Sequence, residues 1–169
     1  SGFAPAACGG GYSDRDVSLL PQPEPTSAEG RWTGATPTGH NVAGLVLDDG
    51  SYWLFYTARD HPNILAGLIQ GTGTSYSGSF GSSNTRDFTV EGAGIRTATT
   101  RGSYVPNKRF QVTIAYVTGD TASVTSTYDA DYELTPNLTL VTGTYAGLHP
   151  DHHRVTVTVD SAGTLSGHS

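Results

Sequence analysis

The residues best suited to chemistry by type and spacing lie in the segment HPDHHR, residues 149–154. In an extended strand alternate side chains point to the same side, so His149, Asp151 and His153 would share one face. Imidazole and carboxylate groups are ligands of zinc and similar ions, and this spacing would bring three of them together. Pro150 and the loop-like composition favour a solvated loop instead. The sequence therefore predicts no metal and no cofactor. If a metal did bind, these three residues would be the candidate ligands.

Acidic side chains form the second chemical group. The segments DDG at residues 48–50 and YDADYE at residues 128–133 could each supply the paired carboxylates of a glycosidase. Both segments look like turns, where Asp is common because its side chain bonds to nearby backbone groups. The sequence has no nucleophile-elbow serine motif, no zinc-protease helix motif and no glycine-rich phosphate loop. It predicts a protein that is not an enzyme and has no catalytic residues.

Cys8 is the only cysteine, which excludes an internal disulfide and a zinc site made of several thiolates of one chain. It stands in PAACGG, with small residues before it and glycine after it. This segment resembles the lipobox of bacterial lipoproteins, where the modified cysteine becomes the mature N-terminus. Together with the repeated Gly-x-aromatic-x-Gly pattern described below, it resembles small lipoproteins of Gram-negative proteobacteria. The resemblance implies lipidation of Cys8, for example with palmitate.

A second segment, GRWTG at residues 30–34, resembles the Gly-x-Trp signature that opens lipocalin and avidin-like barrels. In those families the tryptophan closes one end of the barrel. The resemblance implies a small ligand held inside a barrel, with Trp32, Trp53, Phe55 and Tyr56 as ligand-binding or core aromatics. The alternative is a core role for Trp32 on an edge strand.

The charge of the chain limits its partners. The chain has nine basic and fifteen acidic residues, for a formal net charge of −6, and its sequence contains no basic cluster. This balance argues against nucleic acid and against electrostatic attachment to a membrane. The chain is therefore expected to attach to a membrane through a lipid on Cys8. The sequence does not identify a protein or small-molecule partner.

The composition favours strands. Charged residues make up 14% of the chain, and 22 glycines separate short apolar segments at regular intervals. The spacing predicts an all-β fold, an antiparallel sandwich or small barrel of roughly eight to ten short strands. Asp49-Gly50 between two apolar runs predicts a hairpin. Bulky residues on both faces of the run at 52–57 indicate a strand covered on both sides, and STYDADYELT is the one candidate for a helical turn.

The chain is expected to consist of a tether and a single domain. Residues 1–29, rich in Gly and Pro, predict a flexible tether of the lipoprotein type, and residues 30–169 a single β domain. Within that domain GRWTGATPTGHNV from Gly30 aligns without a gap with GTYAGLHPDHHRV from Gly143. The shared strand–loop–strand unit, at 30–50 and 143–163, indicates a duplication. The second copy is too short to bury its own apolar face, so it is expected to pair with the main sheet.

These observations favour a non-enzymatic lipoprotein anchored to the outer membrane, at the surface or in the periplasm of a Gram-negative bacterium. Its role would be binding or structural, as an exposed antigen. Gly9 after the cysteine, in place of the Asp associated with inner-membrane retention, favours the outer membrane. A lipocalin-like small-ligand barrel is the first alternative, and a hydrolase with an unrecognised carboxylate pair is the second.

Replacing Cys8 by Ala in the full-length precursor is expected to abolish lipidation and to release the protein from the membrane fraction. Each buried CH₂ of an acyl chain contributes about 0.8 kcal/mol to membrane binding, which the acidic chain could not supply by charge. Cells that express the precursor or the variant are labelled with a radioactive fatty acid and then fractionated. Equal membrane association of the two proteins, or an unlabelled wild type, would contradict lipid anchoring.

Overall fold

The computed structural model describes residues 26–90, 94–148 and 153–168, and these residues are mostly strand. The predicted tether at residues 1–25, with Cys8, lies outside the described residues. The strands are β1 Gly30–Ala35, β2 Asn41–Val46, β3 Ser51–Ala58, β4 His61–Thr72, β5 Thr74–Tyr76, β6 Ser79–Thr89, β7 Ile95–Val105, β8 Arg109–Tyr116, β9 Thr121–Asp129, β10 Gly143–Leu148, β11 Arg154–Val159 and β12 Leu165–His168.

Eight of these strands close into an antiparallel barrel. The first sheet has nine strands in the order β4-β3-β2-β1-β9-β8-β7-β6-β5, and β4 also pairs with β6. The first strand pairs with the last, Trp32 opposite Tyr128, and β5 pairs only with β6. Closure leaves the eight barrel strands without free edges. The all-β fold class is thus confirmed, and of the two predicted forms the barrel is the one observed.

The hairpin predicted at Asp49-Gly50 joins β2 to β3. Gly50 has a φ of 81°, and its N–H donates to the Leu47 carbonyl at 3.0 Å. Asp49 keeps a negative φ and accepts the Ser51 N–H at 2.8 Å through its side chain. The Leu47 N–H also donates to the Ser51 carbonyl at 2.9 Å, so the loop has three residues, 48–50, instead of two, and only Gly50 requires a positive φ.

Alternation along β3 divides its side chains between the barrel interior and solvent. Tyr52 and Leu54 are 1% and 4% exposed, whereas Phe55 is 47% exposed. The expectation that this strand is covered on both sides is wrong, because a barrel is one sheet closed on itself. Its outer face meets water, and the bulky outer residues shield the sheet without joining a core.

One end of the barrel is filled by aromatic rings. Trp32 is 1% exposed, and its ring centroid lies 5.4 Å from those of both Phe110 and Tyr128. Phe80 packs edge-on against Phe110 at 5.1 Å. The Trp32 Nε1–H donates to the Ala28 carbonyl at 2.9 Å, so the indole is buried with its polar group satisfied. We call this the closed end.

Residues 26–29 cross the closed end before the chain enters β1. Ala28 is fully buried, and its N–H donates to the Ser75 Oγ at 3.0 Å. The hydroxyl of Tyr104 donates to the carbonyl of Thr26. These four residues fall inside the range predicted as tether, but their backbone is bonded to the barrel.

After the barrel the chain forms two short helices and a separate sheet. A 3-10 helix at Ala130–Glu133 stands where the sequence indicated a helical turn, with Asp129 as its cap. The helix α1, Leu138–Val141, follows. Strands β10, β11 and β12 then form a three-stranded antiparallel sheet of their own. The expected pairing of this unit with the main sheet does not occur among the described residues.

Trp32→Ala is expected to lower the free energy of unfolding by about 3–5 kcal/mol, because it removes a fully buried ring and leaves a cavity. The matched control is Trp53→Ala, since Trp53 lies on the outer face of β3 and is only partly buried. Its loss is expected to cost about 1 kcal/mol or less. Denaturant melts measure both changes. Equal losses for the two variants would contradict the role of Trp32 as the filling of the closed end.

Candidate functional site

The end of the barrel opposite Trp32 contains a cavity of about 320 Å³. We call it the mouth cavity. It lies among the inward-facing residues of the strands and the loop between β1 and β2. Its lining consists of Thr36, Thr38, His40, Val42, Leu54, Tyr56, Ile69, Asp87, Arg96, Ile114, Tyr116, Asp120, Thr121, Ala122 and Val124.

The apolar wall of the mouth cavity follows from strand alternation. Val42, Leu54, Ile69, Ile114 and Val124 are each at most 6% exposed, and each occupies an inward position of its strand. Branched side chains suit these positions because they pack well on a pleated surface. The barrel thus supplies a rigid, largely apolar wall on several strands at once.

A buried carboxylate forms the polar part of the cavity. Asp87 on β6 is 2% exposed, and its two oxygens accept hydrogen bonds from the hydroxyls of Tyr56 and Tyr116, each at 2.8 Å. No ion pair joins Asp87 to a cation within the described part of the chain. A buried charge is costly unless it is bonded, so the two phenols are what keep this carboxylate inside the barrel.

A bulge in β6 points Asp87 inward. Phe80 and Ser82 face the interior, and simple alternation would next place Asn84 and Arg86 inside. The register against β7 shifts between Ser82 and Thr85, and Thr85 and Asp87 become the buried residues. Bulges of this kind often redirect a side chain near a functional site.

A glycine makes room for one of the phenols. Gly67 on β4 lies opposite Tyr56 in the register of β3 and β4, and the Tyr56 ring lies directly over it. A Cβ at this position would overlap the ring and the hydroxyl. Gly67 is therefore required for the Tyr56 hydroxyl to reach Asp87.

A cation stands at the rim of the cavity. Arg96 on β7 is the direct cross-strand neighbour of Asp87, and its guanidinium lies 3.8 Å from the centre of the Tyr116 ring. One of its nitrogens is 3.2 Å from the Asp120 carboxylate. The cation is thus held over the aromatic face and turned toward the rim.

His40 closes another part of the rim. Its Nδ1 donates to the Thr57 carbonyl at 2.8 Å, since a carbonyl oxygen can only accept. Its ring stands edge-on to the ring of Tyr56, with centroids 6.3 Å apart. The strand pair β2–β3 therefore fixes the orientation of both side chains.

The pKa values of Tyr56 and Tyr116 are raised well above the ordinary value for tyrosine. Burial is the largest cause in both cases, followed by the hydrogen bond to Asp87 and the charge of Asp87. Both phenols therefore stay protonated and donate at neutral pH. They cannot act as phenolate nucleophiles or bases there, and their role is to hold the carboxylate.

A belt of hydroxyl groups separates the mouth cavity from the closed end. The Tyr52 hydroxyl lies 2.7 Å from the Thr85 Oγ1 and donates to the Ser82 Oγ at 3.2 Å. Thr85 and Thr100 are 2.8 Å apart through their hydroxyl oxygens. The belt satisfies its own polar groups in the middle of the barrel, so the barrel interior has two distinct halves.

The aromatics predicted from the sequence divide between the two faces of the barrel. Tyr56 lines the mouth cavity, and Trp32 fills the closed end. Trp53 and Phe55 lie on the outer face of β3 and do not reach the interior. The residues that sequence reasoning missed are Asp87, Tyr116 and Arg96. Tyr116 continues the alternation of Phe110, Val112 and Ile114 along β8, and its inward position could have been predicted from that pattern.

The other predicted candidates lie elsewhere. Cys8, His149 and Asp151 are outside the described residues, and His153 directly precedes β11. Within the described ranges no group of three or more His, Cys, Asp or Glu residues could hold a metal ion. Asp129 and Asp131 both contact the Arg31 guanidinium, at 3.3 and 2.9 Å.

No protein-family model, curated protein or solved structure matches this chain. None of the helices in the described ranges has the length and apolar character needed to cross a bilayer. The arguments that follow therefore depend on the residues of the chain itself.

Asp87→Asn is expected to make Tyr56 and Tyr116 ionise at lower pH, because it removes the negative charge that opposes their ionisation. In the wild type, both raised pKa values mean that the folded state keeps protons that the unfolded chain releases above about pH 10. Their contribution to stability is complete below that pH and is lost as the pH rises toward the folded pKa values.

Tyrosinate absorbance during an alkaline titration measures the effect, with Tyr56→Phe and Tyr116→Phe variants to assign the two groups. Asp49→Asn, a change in an exposed turn, is the control and should leave the curve unchanged. An Asp87→Asn curve that coincides with the wild type would contradict the coupling of the two phenols to Asp87.

Proposed function

We propose that this protein is a lipid-anchored, non-enzymatic binding protein of the outer membrane of a Gram-negative bacterium, and that its barrel binds a small ligand in the mouth cavity. The mouth cavity is the observation that carries the binding role. It combines an apolar wall on several strands with a few fixed polar groups, which is the usual composition of a small-molecule site. Its volume of about 320 Å³ lies near the lower end of such sites, so the ligand is small.

The charges of the lining favour a cationic ligand. The lining contains two carboxylates, Asp87 and Asp120, and one cation, Arg96, so it carries a net negative charge. A carboxylate has about four acceptor sites, and Asp87 uses one on each oxygen for the two phenols. The remaining acceptor capacity suits an ammonium group, with an apolar body against Leu54 and Ile69.

A binding role agrees better with this site than catalysis does. The two phenols are fixed in their protonated form, and Asp87 is held by both of them. A general base needs a pKa near the working pH and free access to the proton that it removes. The arrangement instead resembles a fixed acceptor, which contributes orientation and selectivity to binding.

The proposed location of the protein is supported by the lipobox-like segment around Cys8. An acylated cysteine ahead of a Pro- and Gly-rich segment would hold the barrel at a membrane surface without any spanning segment. A role as an exposed surface antigen is compatible with this placement. The proposal of binding and the proposal of anchoring depend on different residues and can be tested separately.

Phenethylamine is expected to bind more tightly than 3-phenylpropionate, because the two molecules share a phenyl body and carry opposite charges. Titration calorimetry measures both. Asp87→Asn should remove the preference for the amine, and Ala122→Phe should block both molecules by filling the cavity. Ala115→Phe, on the outer face of the neighbouring strand, is the matched control and should leave binding unchanged. Equal binding to wild type and Ala122→Phe would contradict the mouth cavity as the site.

A further inference from the structure

The C-terminal sheet reproduces the beginning of the barrel. Strand β10 pairs with β11 in the register Gly143 to Val159, just as β1 pairs with β2 in the register Gly30 to Val46. The same constant offset that takes Gly30 to Gly143 relates every residue of the two strand pairs. Gly30 and Gly143 both have a large positive φ, 145° and 154°.

The correspondence extends to individual hydrogen bonds. Trp32 donates from its ring to the carbonyl four residues earlier, that of Ala28, at 2.9 Å. Tyr145 at the equivalent position donates from its hydroxyl to the carbonyl four residues earlier, that of Val141, at 2.7 Å. Two different side chains thus make the same bridge to the segment before the strand.

The hairpin after the second strand is also the same in both units. In the barrel the N–H of Gly50 donates to the Leu47 carbonyl at 3.0 Å. In the C-terminal sheet the N–H of Gly163 donates to the Asp160 carbonyl at 3.0 Å. Both glycines have a φ of 81°. The third strands, β3 and β12, therefore start in the same register.

In one pair of facing residues, the large and the small side chain occupy opposite positions in the two units. In the barrel Gly44 lies opposite Leu54, and a Cβ on Gly44 would overlap the Leu54 side chain. In the C-terminal sheet the equivalent positions are Val157 opposite Gly167. In the barrel the glycine lies on the second strand and the large residue on the third, and in the C-terminal sheet this order is reversed. Such compensation is expected where both positions share one packed interior.

The face that is interior in the barrel is uncovered in the C-terminal sheet. Trp32 and Tyr52 are each 1% exposed, whereas their equivalents Tyr145 and Leu165 are 51% and 69% exposed. Both outer edges of this sheet, on β10 and β12, are unpaired within the described ranges. A sheet with two open edges and an uncovered apolar face is a template for further strands.

Glycine positions indicate where a neighbouring strand would lie. A Cβ on Gly34 would overlap the Thr125 carbonyl and Ser126, because β9 crosses closely at that point. Gly147 is the equivalent residue, and within the described part of the chain nothing lies within 4 Å of a Cβ there. In the barrel β9 occupies the space beside β1. The equivalent space beside β10 is not occupied by any described residue.

We infer that residues 143–168 are the first three strands of a second barrel of the same type. The occupant of their open edges is a five-stranded antiparallel segment of the same polypeptide that continues from β12. In the first barrel the strands that cover β1–β3 are those that follow them directly, since β4 continues from β3 through a short turn. The last strand of the missing segment would pair with β10 across Gly147, as β9 pairs with β1 across Gly34.

The experiment supplies the missing strands from the chain itself. Residues 56–129, which follow the equivalent position in the first barrel, are appended directly after His168. A control chain carries one extra glycine at the junction, which shifts the register and turns the interior face outward. Hydrogen exchange of peptides that cover β10 and β12 is measured by mass spectrometry, and light scattering gives the oligomeric state.

In the 169-residue chain the amides of these peptides are expected to exchange rapidly from a monomer. In the appended chain they are expected to exchange at least about tenfold more slowly, and in the control chain to stay rapid. A second appended variant restores the first barrel's interior residues with Tyr145→Trp, Val157→Gly, Leu165→Tyr and Gly167→Leu. Slow exchange in either in-register chain supports the inference.

Rapid exchange in both in-register chains would overturn it, since matched interior residues would then have failed to recruit the strands. Slow exchange in the 169-residue chain together with a dimer would also overturn it, because the occupant would then be a second copy. Equal slowing in the glycine control would show that any added chain protects the peptides, which again rejects a register-specific barrel.

Discussion

The pairing of β1 with β9 is the constraint on which the rest of this structure depends. It closes the antiparallel sheet into a cylinder, because every other barrel pairing, including that of β4 with β6, joins strands that follow one another along the chain. Closure pairs each barrel strand on both sides and creates an interior that only inward side chains can fill. The aromatic filling of one end, the hydroxyl belt and the mouth cavity all exist because this interior is enclosed.

Within that cylinder the position of Asp87 decides the chemistry of the mouth cavity. A carboxylate at this depth would be strongly unfavourable by itself, and two phenols, one of which has room because Gly67 lacks a side chain, make it tolerable. The pKa values of the same phenols are raised by their burial first, and then by the hydrogen bonds to Asp87 and its charge. In the proposed binding role, the three side chains that keep this carboxylate inside the barrel would also be those that bind the ligand.

The sequence contained enough to predict the strands, the Asp49-Gly50 hairpin, the turn at Ala130–Glu133 and the repeat of Gly30 at Gly143. Closure could not be predicted from the sequence, because it depends on the pairing of β1 with β9, which joins residues as distant along the chain as Arg31 and Asp129. Asp87 was hidden because the bulge reverses the alternation on which the prediction depends. Trp53 and Tyr52 were ambiguous because neighbouring bulky residues give no sign of which face turns inward.

The hydroxyl belt around Tyr52 has a consequence for how such a protein can change over generations. It places the rings that hold the barrel together and the residues that line its opening in different compartments of one interior. Substitutions distant from one another tend to have additive effects on stability. Residues such as Ala122 or Thr38 at the opening can therefore be exchanged while the aromatic end keeps the fold intact, and in the proposed binding role such exchanges would change the selectivity.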